Sequence, residues 1–295
     1  MKPLRRLAFG LGLLLVVACM PKEIPPPLPP PPRPAKIAVV LGAGASRGFA
    51  HIGVLKVLEA QKVPIHLIVG TSSGSFVGSI YAYGYDAFQI QKMALAIQKD
   101  DVVDLTIPDN GFVRGEKLEN FVNRAVQNSP LERLRIPFLA VATNVQTGEE
   151  TVFATGNTGK AVRASCSIPG IFQPVRIGEK TYVDGGVVSP VAVDAARQAG
   201  ADVVIAVDIS TGVAGTLPQG ILETILQSID IMYAKIAAAQ IRNADVVIRP
   251  RVSHIGSSDF DRRHEAILEG EKAATAAIPQ ITQILSRLHQ EGRLP

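Results

Sequence analysis

Along most of the chain, short apolar runs alternate with segments whose apolar side chains recur at helical spacing. Runs rich in β-branched residues predict buried strands at residues 35–41, 65–69 and 203–209. Helical spacing is clear at residues 48–61 and 221–240. Strands that alternate with helices form mostly parallel sheets, and helices cover both faces of such sheets. The pattern therefore predicts an α/β fold with three layers.

The rest of the domain continues this alternation. Five further strands are predicted at residues 138–145, 150–154, 175–177, 180–183 and 244–249. Six further helices are predicted at residues 73–83, 87–98, 115–127, 160–166, 190–198 (with Ser189 as N-cap) and 262–288. Because proline lacks the backbone N–H that an interior helical position needs, we expect the last helix to be interrupted at Pro279.

The first 18 residues follow a different pattern. Lys2, Arg5 and Arg6 precede the apolar run 7–17, which is too short to span a bilayer, and the run ends just before Cys19. This segment resembles a bacterial lipoprotein signal peptide, and the resemblance implies that Cys19 carries the lipid. An ordinary secretory signal is the alternative, and both readings predict export.

Residues 19–34 are dominated by proline. Proline fixes φ and has no N–H, so this segment predicts an extended polyproline linker between the lipid anchor and a folded domain. Residues 35–295 are numerous enough for one large domain with a sizeable core. The predicted location is the cell envelope, with the lipid anchor holding the protein on a membrane. Met20 follows the cysteine where an inner-membrane protein would carry Asp, so the outer membrane is favoured if the cell has one.

Charge and cysteine content narrow the classes of function. The net charge is +4, and removal of the three basic residues of the signal peptide lowers it to +1. No basic run is interleaved with aromatic residues, so no nucleic-acid partner is predicted. Lipidation of Cys19 would leave Cys166 alone, which excludes an internal disulfide. No C-x-x-C or H-E-x-x-H spacing is present, so no metal or other cofactor is expected.

The segment Gly70-Thr71-Ser72-Ser73-Gly74 has the G-x-S-x-G pattern between a predicted strand and a predicted helix. A sharp turn in that setting exposes the serine hydroxyl in a strained position, and the flanking glycines let the backbone turn without a clash. The N-terminus of the following helix favours negative charge at the same place. Ser72 is therefore a candidate nucleophile.

The segment Gly42-Ala43-Gly44-Ala45-Ser46-Arg47-Gly48 follows the first predicted strand and leads into a helix. Its N–H groups are expected to point at an anion or a developing oxyanion. A dinucleotide site does not fit, because Gly48 comes four residues after Gly44 rather than three, and no acidic residue ends the next strand. A P-loop does not fit either, because no Lys-Ser or Lys-Thr closes the segment.

A third segment, Asp184-Gly185-Gly186, follows the predicted strand 180–183. The order and spacing of the three segments closely resemble the patatin-like phospholipases, as do Ala50–Leu55, Ala164–Phe172 and Ala244–Pro250. The resemblance implies the patatin-like three-layer fold and a catalytic dyad with Ser72 as nucleophile and Asp184 as general base. It also implies an oxyanion hole in the glycine-rich loop, to which we assign the N–H groups of Ala43, Gly44 and Ser73.

The choice of base can be weighed from the residues as well. A serine hydroxyl needs a base within hydrogen-bond reach, and the usual base is histidine. His254 and His264 follow Asp184 in the chain, as the order Ser–Asp–His of an α/β-hydrolase requires. That fold places several strands before its nucleophile, whereas only one strand is predicted before residues 65–69. We therefore favour Asp184 as the base.

These observations predict a serine acyl hydrolase that acts on phospholipid or lysophospholipid esters without a cofactor. Arg47, at the end of the glycine-rich loop, has two open readings: it steers a substrate phosphate, or it makes a structural contact at the helix start. Two other functions stay open. One is a non-catalytic, membrane-anchored lipoprotein for lipid binding or assembly, and the other is a general esterase or peptidase on the same site.

Overall fold

A computed structural model of the protein describes residues 32–107, 110–210 and 217–294. The predicted signal peptide, Cys19 and most of the proline-rich linker lie outside the described residues. The predicted divisions after residues 18 and 34 therefore stay predictions.

The described residues contain one eight-stranded sheet with the order β5-β6-β3-β2-β1-β7-β8, and β4 also pairs with β3. The strands are β1 (Ile37–Leu41), β2 (Leu67–Thr71), β3 (Phe138–Asn144), β4 (Glu150–Phe153), β5 (Val175–Ile177), β6 (Lys180–Asp184), β7 (Val203–Val207) and β8 (Val246–Ile248). Strands β3, β2, β1, β7 and β8 run parallel, whereas β4, β5 and β6 pair antiparallel. The predicted α/β class with a mostly parallel sheet is thus confirmed.

Helices pack on both faces of this sheet. They are α1 (Phe49–Ala60), α2 (Ser73–Tyr83), α3 (Ala87–Ala96), α4 (Lys99–Val102), α5 (Glu116–Ala125), α6 (Thr158–Ser165), α7 (Val193–Gln198), α8 (Ile221–Gln240) and α9 (Arg263–Gln290). Successive side chains of β1 alternate between two hydrophobic clusters. Val39 and Leu41 join the larger one, whereas Ala38 and Val40 join the other. Both faces of the central strand are therefore buried, which gives the three predicted layers.

Helices α1 and α9 cross in backbone contact. A Cβ atom added to Gly53 of α1 would lie 1.9 Å from the carbonyl oxygen of Ile267, and one added to Gly270 of α9 would lie 2.0 Å from that of Ala50. Glycine is needed at both positions because any side chain would push the two helices apart. The crossing fixes α1, which follows the glycine-rich loop at the carboxyl end of the central strand β1.

Two predicted helix features are wrong in detail. Helix α9 continues through Pro279 without interruption, because buried residues on both sides, including Ala274 and Ile281, keep the whole helix packed against the core. The helix predicted from Pro190 begins instead at Val193, and Ser189 is not its N-cap. The preceding backbone is committed elsewhere, since the Pro190 carbonyl accepts from Ala43 and the Val191 N–H donates to a side chain of α8.

Candidate active site

Ser72 occupies the sharp turn between β2 and α2. Its backbone has φ 55° and ψ −124°, a conformation that a non-glycine residue adopts only under strain. The turn needs glycine at Gly74, because a Cβ atom there would lie 2.0 Å from the carbonyl oxygen of Leu41. The same holds at Gly70, where a Cβ atom would lie 2.6 Å from the amide nitrogen of Ser75. The predicted sharp turn between strand and helix is present at Ser72, and its role as a nucleophile stays a prediction.

Asp184 ends β6, which lies antiparallel beside β3, and β3 separates β6 from β2. This placement brings the carboxylate to the end of the sheet where Ser72 lies. The Ser72 hydroxyl donates a hydrogen bond of 2.6 Å to Asp184 Oδ2. The Gly186 N–H donates one of 2.7 Å to Oδ1. Gly185 must lack a side chain, since its Cβ atom would lie 2.2 Å from the Val141 carbonyl oxygen.

The Asp184 carboxylate is fully buried. Burial raises the pKa of Asp184 to about 6, although the hydrogen bonds from Ser72 and Gly186 and the nearby Tyr233 oppose this rise. Burial and the charge of Asp184 also raise the pKa of the Cys166 thiol, which donates to the Ser72 carbonyl oxygen at 3.1 Å. Cys166 is therefore an uncharged neighbour, and Asp184 is the group near Ser72 that can accept a proton at neutral pH.

The backbone of Ser72 is held from a second side. Its N–H donates to Ser165 Oγ at 2.9 Å, and that hydroxyl donates in turn to the Val141 carbonyl oxygen at 2.5 Å. Because the Ser165 hydroxyl makes both bonds, it joins the end of α6 to the nucleophile turn and to β3. This contact fixes the strained backbone of Ser72.

The glycine-rich loop is arranged differently from the prediction at one position. The Ala43 N–H donates to the Pro190 carbonyl oxygen at 2.8 Å, so it is not free to face an oxyanion. In contrast, the N–H groups of Gly44 and Ser73 have no hydrogen-bond acceptor among the described residues. These two N–H groups are the donors that remain of the three predicted ones.

A buried histidine supports the same loop. His51 on α1 lies 2.8 Å through Nε2 from the Gly42 carbonyl oxygen. Burial lowers the pKa of His51 to about 4, so the ring is neutral and its Nε2–H donates this bond. His51 thus has a structural contact and does not face Ser72.

Arg47 is buried, with a side chain only 4% exposed. Its guanidinium group donates to the Gly44 carbonyl oxygen at 3.1 Å, forms an ion pair with Asp230 of α8 and contacts Ser257 at 3.2 Å. Of the two open readings, these contacts favour the structural one. Arg47 ties the glycine-rich loop to α8, and Gly48 lets α2 approach, since a Cβ atom there would lie 2.5 Å from that of Ser73.

The other histidines lie apart from Ser72. His66 accepts from the Ile37 N–H through Nδ1 at 3.1 Å, and the exposed His254 contacts Glu265 at 2.6 Å. His264 is exposed. Neither His254 nor His264 has a hydrogen bond to Ser72 or Asp184 in the described part of the chain.

A cavity of about 460 Å³ opens beside Ser72. Its wall is mostly apolar and includes Ile52, Phe76, Val77, Ile80, Met93, Phe121 and Leu226. The largely exposed side chains of Leu105 and Phe112 also line it and mark its mouth. The cavity suits an extended apolar group attached near Ser72.

Three residues beside the site were not found from the sequence. Ser165 lies in a stretch that carries the family resemblance, but nothing in its spacing indicates a contact with Ser72. Asp230 and Tyr233 lie one turn apart on α8, where they look like ordinary positions of an amphipathic helix. Only the packing of α8 across the end of the sheet brings them to the site.

Within residues 32–107, 110–210 and 217–294, no group of three or more His, Cys, Asp or Glu side chains is placed to hold a metal ion. No helix in the same ranges has the length and hydropathy of a membrane-spanning segment.

The fold and the site define an α/β protein with a nucleophile turn and an adjacent buried carboxylate. The sequence profile of the patatin-like phospholipases matches residues 39–197, which is more than half of the chain. The chain belongs to the patatin-like phospholipase family.

Individual relatives agree with this assignment. Patatin-like phospholipase domain-containing protein 6 of Homo sapiens is 35% identical over 183 residues, which cover 59% of this chain and 13% of that protein. An uncharacterised NTE family protein of Mycobacterium tuberculosis is 30% identical over 272 residues, covering 82% of this chain and 46% of the relative. Lysophospholipase NTE1 of Coccidioides immitis is 28% identical over 292 residues, which cover 88% of this chain and 18% of that protein. The chain thus spans less than half of each of these relatives.

Among solved structures, VipD from Legionella pneumophila is similar with a TM-score of 0.58. The match covers 85% of this chain and 67% of VipD at 13% sequence identity. At that identity the similarity concerns the fold alone.

Proposed function

We propose that this chain is a serine acyl hydrolase that cleaves lipid acyl esters, as a phospholipase A or a lysophospholipase does. The observation that carries the proposal is the 2.6 Å hydrogen bond from the strained Ser72 hydroxyl to the buried Asp184 carboxylate. A hydroxyl paired with a carboxylate whose pKa lies near 6 has a base that is deprotonated at neutral pH. Membership of the patatin-like phospholipases and the similarity to a protein named lysophospholipase support the same activity.

In the proposed mechanism, the Ser72 oxygen attacks the ester carbonyl carbon while Asp184 takes the hydroxyl proton. The N–H groups of Gly44 and Ser73 stabilise the oxyanion, an effect of about 10²–10³ in kcat per donor in serine hydrolases. Asp184 then gives the proton to the leaving alcohol as the C–O bond breaks. Water hydrolyses the acyl-Ser72 in a second step with the same base.

A lipid rather than a small ester is supported by the cavity and its mouth. The wall is almost entirely apolar, so an acyl chain inside it would be removed from water and stabilised by roughly 0.8 kcal/mol for each buried CH₂ group. Leu105 and Phe112, which line the cavity, are 79% and 47% exposed. Exposed apolar patches of this kind are typical of surfaces that contact a membrane or a partner.

The proposal is tested with Ser72→Ala and Asp184→Asn on a short-chain p-nitrophenyl ester. Both proteins should fold, and Ser72→Ala should lose at least about 10³-fold in kcat. Asp184→Asn should lose about 10²–10⁴-fold, the usual contribution of a general base. His254→Ala and His264→Ala are the matched controls, and each should keep wild-type turnover. If either control is as inactive as Ser72→Ala, a histidine is the base and the dyad is wrong.

The substrate class is tested by comparing phospholipids, lysophospholipids, short esters and peptides side by side, together with labelling by a fluorophosphonate probe. We expect labelling of wild type but not of Ser72→Ala, and the highest kcat/KM on a long-chain lipid ester. Preference for short esters or peptides would favour the general esterase or peptidase. Absence of both labelling and turnover would favour the non-catalytic lipid-binding lipoprotein.

We also propose that the protein is exported and anchored to a membrane by a lipid on Cys19. Support comes from the basic and apolar order of residues 1–18 and from the proline-rich residues that follow. A single acyl chain binds a membrane only marginally, so stable anchoring needs a multiply acylated cysteine. In a cell with two membranes we propose the outer membrane, because Met20 follows the cysteine.

A further inference from the structure

Tyr233 is a buried tyrosine for which the mechanism above has no use. It lies on α8 with 5% of its surface exposed, and its ring covers Gly186. A Cβ atom on Gly186 would lie 2.3 Å from two ring carbons and 2.7 Å from the hydroxyl oxygen. Gly186 is therefore the residue that lets Tyr233 reach the loop after Asp184.

The Tyr233 hydroxyl has no hydrogen-bond partner among the described residues. Nearly all buried hydroxyl groups are paired, so an unpaired one beside a reactive carboxylate calls for an explanation. The hydroxyl faces the Asp184 carboxylate closely enough to oppose the rise in its pKa, yet it lies outside the geometry of a formed hydrogen bond. Ser72 and the Gly186 N–H occupy the carboxylate oxygens instead.

Tyr233 keeps its proton in this environment. Burial, followed by the neighbouring charge of Asp184, raises the pKa of Tyr233 well above its ordinary value. The other ionisable groups that face the pair are the Cys166 thiol at the end of α6 and Asp230 on α8, and Asp230 is paired with Arg47. The Tyr233 hydroxyl is thus a hydrogen-bond donor without an acceptor. It lies next to the Asp184 carboxylate, which accepts from Ser72 in the free protein and loses this donor in the proposed reaction.

We propose that Tyr233 is a positioning residue for the second half of the reaction: its hydroxyl donates to Asp184 after Ser72 has been acylated. This inference rests on the proposed function. In the free protein Ser72 donates to Asp184, but the oxygen of an acylated serine has no proton to donate. Asp184 is then a buried carboxylate that has lost one of its two donors. A small shift of the Tyr233 hydroxyl replaces the missing bond.

The step balances without any further reactant. Water donates one proton to Asp184 while its oxygen bonds to the acyl carbon, and the proton passes from Asp184 to the Ser72 oxygen as the acyl C–O bond breaks. The products are the fatty acid and the free serine. Tyr233 neither gains nor loses its proton. Its hydrogen bond keeps Asp184 ionised and oriented towards the incoming water.

The test is Tyr233→Phe, measured as pH profiles of the two half-reactions on a chromogenic ester. Acylation is followed by the burst of alcohol release, and deacylation by the decay of the acyl-enzyme. Loss of a hydrogen bond to a charged group raises its pKa by about one unit. The acid limb of the deacylation profile should therefore move to higher pH by about one unit. At a pH on that limb, deacylation should be about tenfold slower than in wild type. The acylation limb should move less, because in the free protein Ser72 and the Gly186 N–H already donate to Asp184. Equal shifts of the two limbs would also overturn the inference.

Tyr182→Phe is the matched control, because Tyr182 is equally buried on β6 and packs its ring against Phe153. It should leave both limbs unchanged. The hydroxyl removed from Tyr233 has no partner, so Tyr233→Phe should be at least as heat-stable as wild type and should label fully with a fluorophosphonate probe. Unchanged limbs in Tyr233→Phe, or the same shift in Tyr182→Phe, would overturn the inference. Absence of turnover in wild type would instead overturn the proposed function.

Discussion

At the scale of single residues, the proposed chemistry depends on the environment of one carboxyl group, that of Asp184. Asp184 is buried without a cationic partner among the described residues, and burial raises its pKa to about 6. A general base works only when it is deprotonated. The activity of the protein is therefore expected above the pKa of Asp184 and is lost as the pH falls through that value.

This gives a pH prediction for the wild-type protein. The value of kcat/KM on a soluble ester should be constant above about pH 7 and should fall through an apparent pKa of about 6, tenfold for each further pH unit. Circular dichroism at pH 5 is the control that excludes acid unfolding. An acid limb near pH 4, the ordinary value of an exposed aspartate, would contradict the burial argument.

Single residues also show where sequence reasoning ends. Ser72 could be proposed because its turn needs glycines at fixed positions, and glycines are recognisable in a sequence. Asp184 could be proposed through the resemblance to the patatin-like phospholipases. The engagement of Ala43 with Pro190 was not predictable, because it depends on where a distant loop passes the first strand. The position of Tyr233 beside Asp184 could not be predicted either, because it depends on how α8 packs.

At the scale of elements, α8 has an unusual share in the site. Asp230 pairs with Arg47, which holds the Gly44 carbonyl, and Tyr233 lies one turn later against Gly186. One face of one helix thus contacts both the glycine-rich loop, which carries the proposed oxyanion donor Gly44, and the loop that follows the proposed base. The bounds of α8 could be predicted from its periodicity, but its position across the end of the sheet could not, because periodicity carries no information on packing partners.

The crossing of α1 and α9 gives a stability prediction. Gly270→Ala places a Cβ atom 2.0 Å from the Ala50 carbonyl oxygen, so the helices must separate. We expect a loss on the order of 1–3 kcal/mol in the free energy of unfolding, as for other overpacked cores. Gly256→Ala is the matched control, since the atom nearest to its Cβ lies 3.9 Å away. Urea denaturation measures both, and equal stability of the two variants would show that the crossing tolerates a methyl group.

At the scale of the whole molecule, the parallel strands place the site at one end of the sheet, and the exposed side chains of Leu105 and Phe112 line the cavity beside it. We expect Leu105→Ser combined with Phe112→Ser to lower kcat/KM on phospholipid vesicles about tenfold, because each change weakens contact with the bilayer. Turnover of a short soluble ester should change much less. Phe88→Ser, at 66% exposure on α3, removes exposed apolar surface that does not line the cavity and should have no effect on either substrate. A loss in Phe88→Ser as large as that in the double variant would contradict this assignment.

The proposed anchor gives the other prediction at this scale. Cys19→Ala should stop incorporation of labelled palmitate and release the protein from membranes, while hydrolysis of a soluble ester continues. Activity on bilayers should fall, because anchoring raises the concentration of enzyme at the surface. Cys166→Ala is the control for labelling and should still incorporate palmitate. A Cys19→Ala protein that labels and sediments with membranes would rule out the lipoprotein assignment.

The direction of β1 has a consequence for how such a tether can work. The chain enters the domain at Lys36, at the amino end of β1, whereas Ser72 lies beyond the carboxyl end of the neighbouring parallel strand. A domain of about 260 residues has a radius of gyration of about 18 Å, so opposite poles lie roughly 45 Å apart. In the predicted polyproline conformation, the residues from Met20 to Arg33 would reach about 43 Å. The proposed linker would then be about as long as the domain is wide. If Cys19 carries the proposed anchor, this length decides whether the cavity beside Ser72 can be turned towards the membrane.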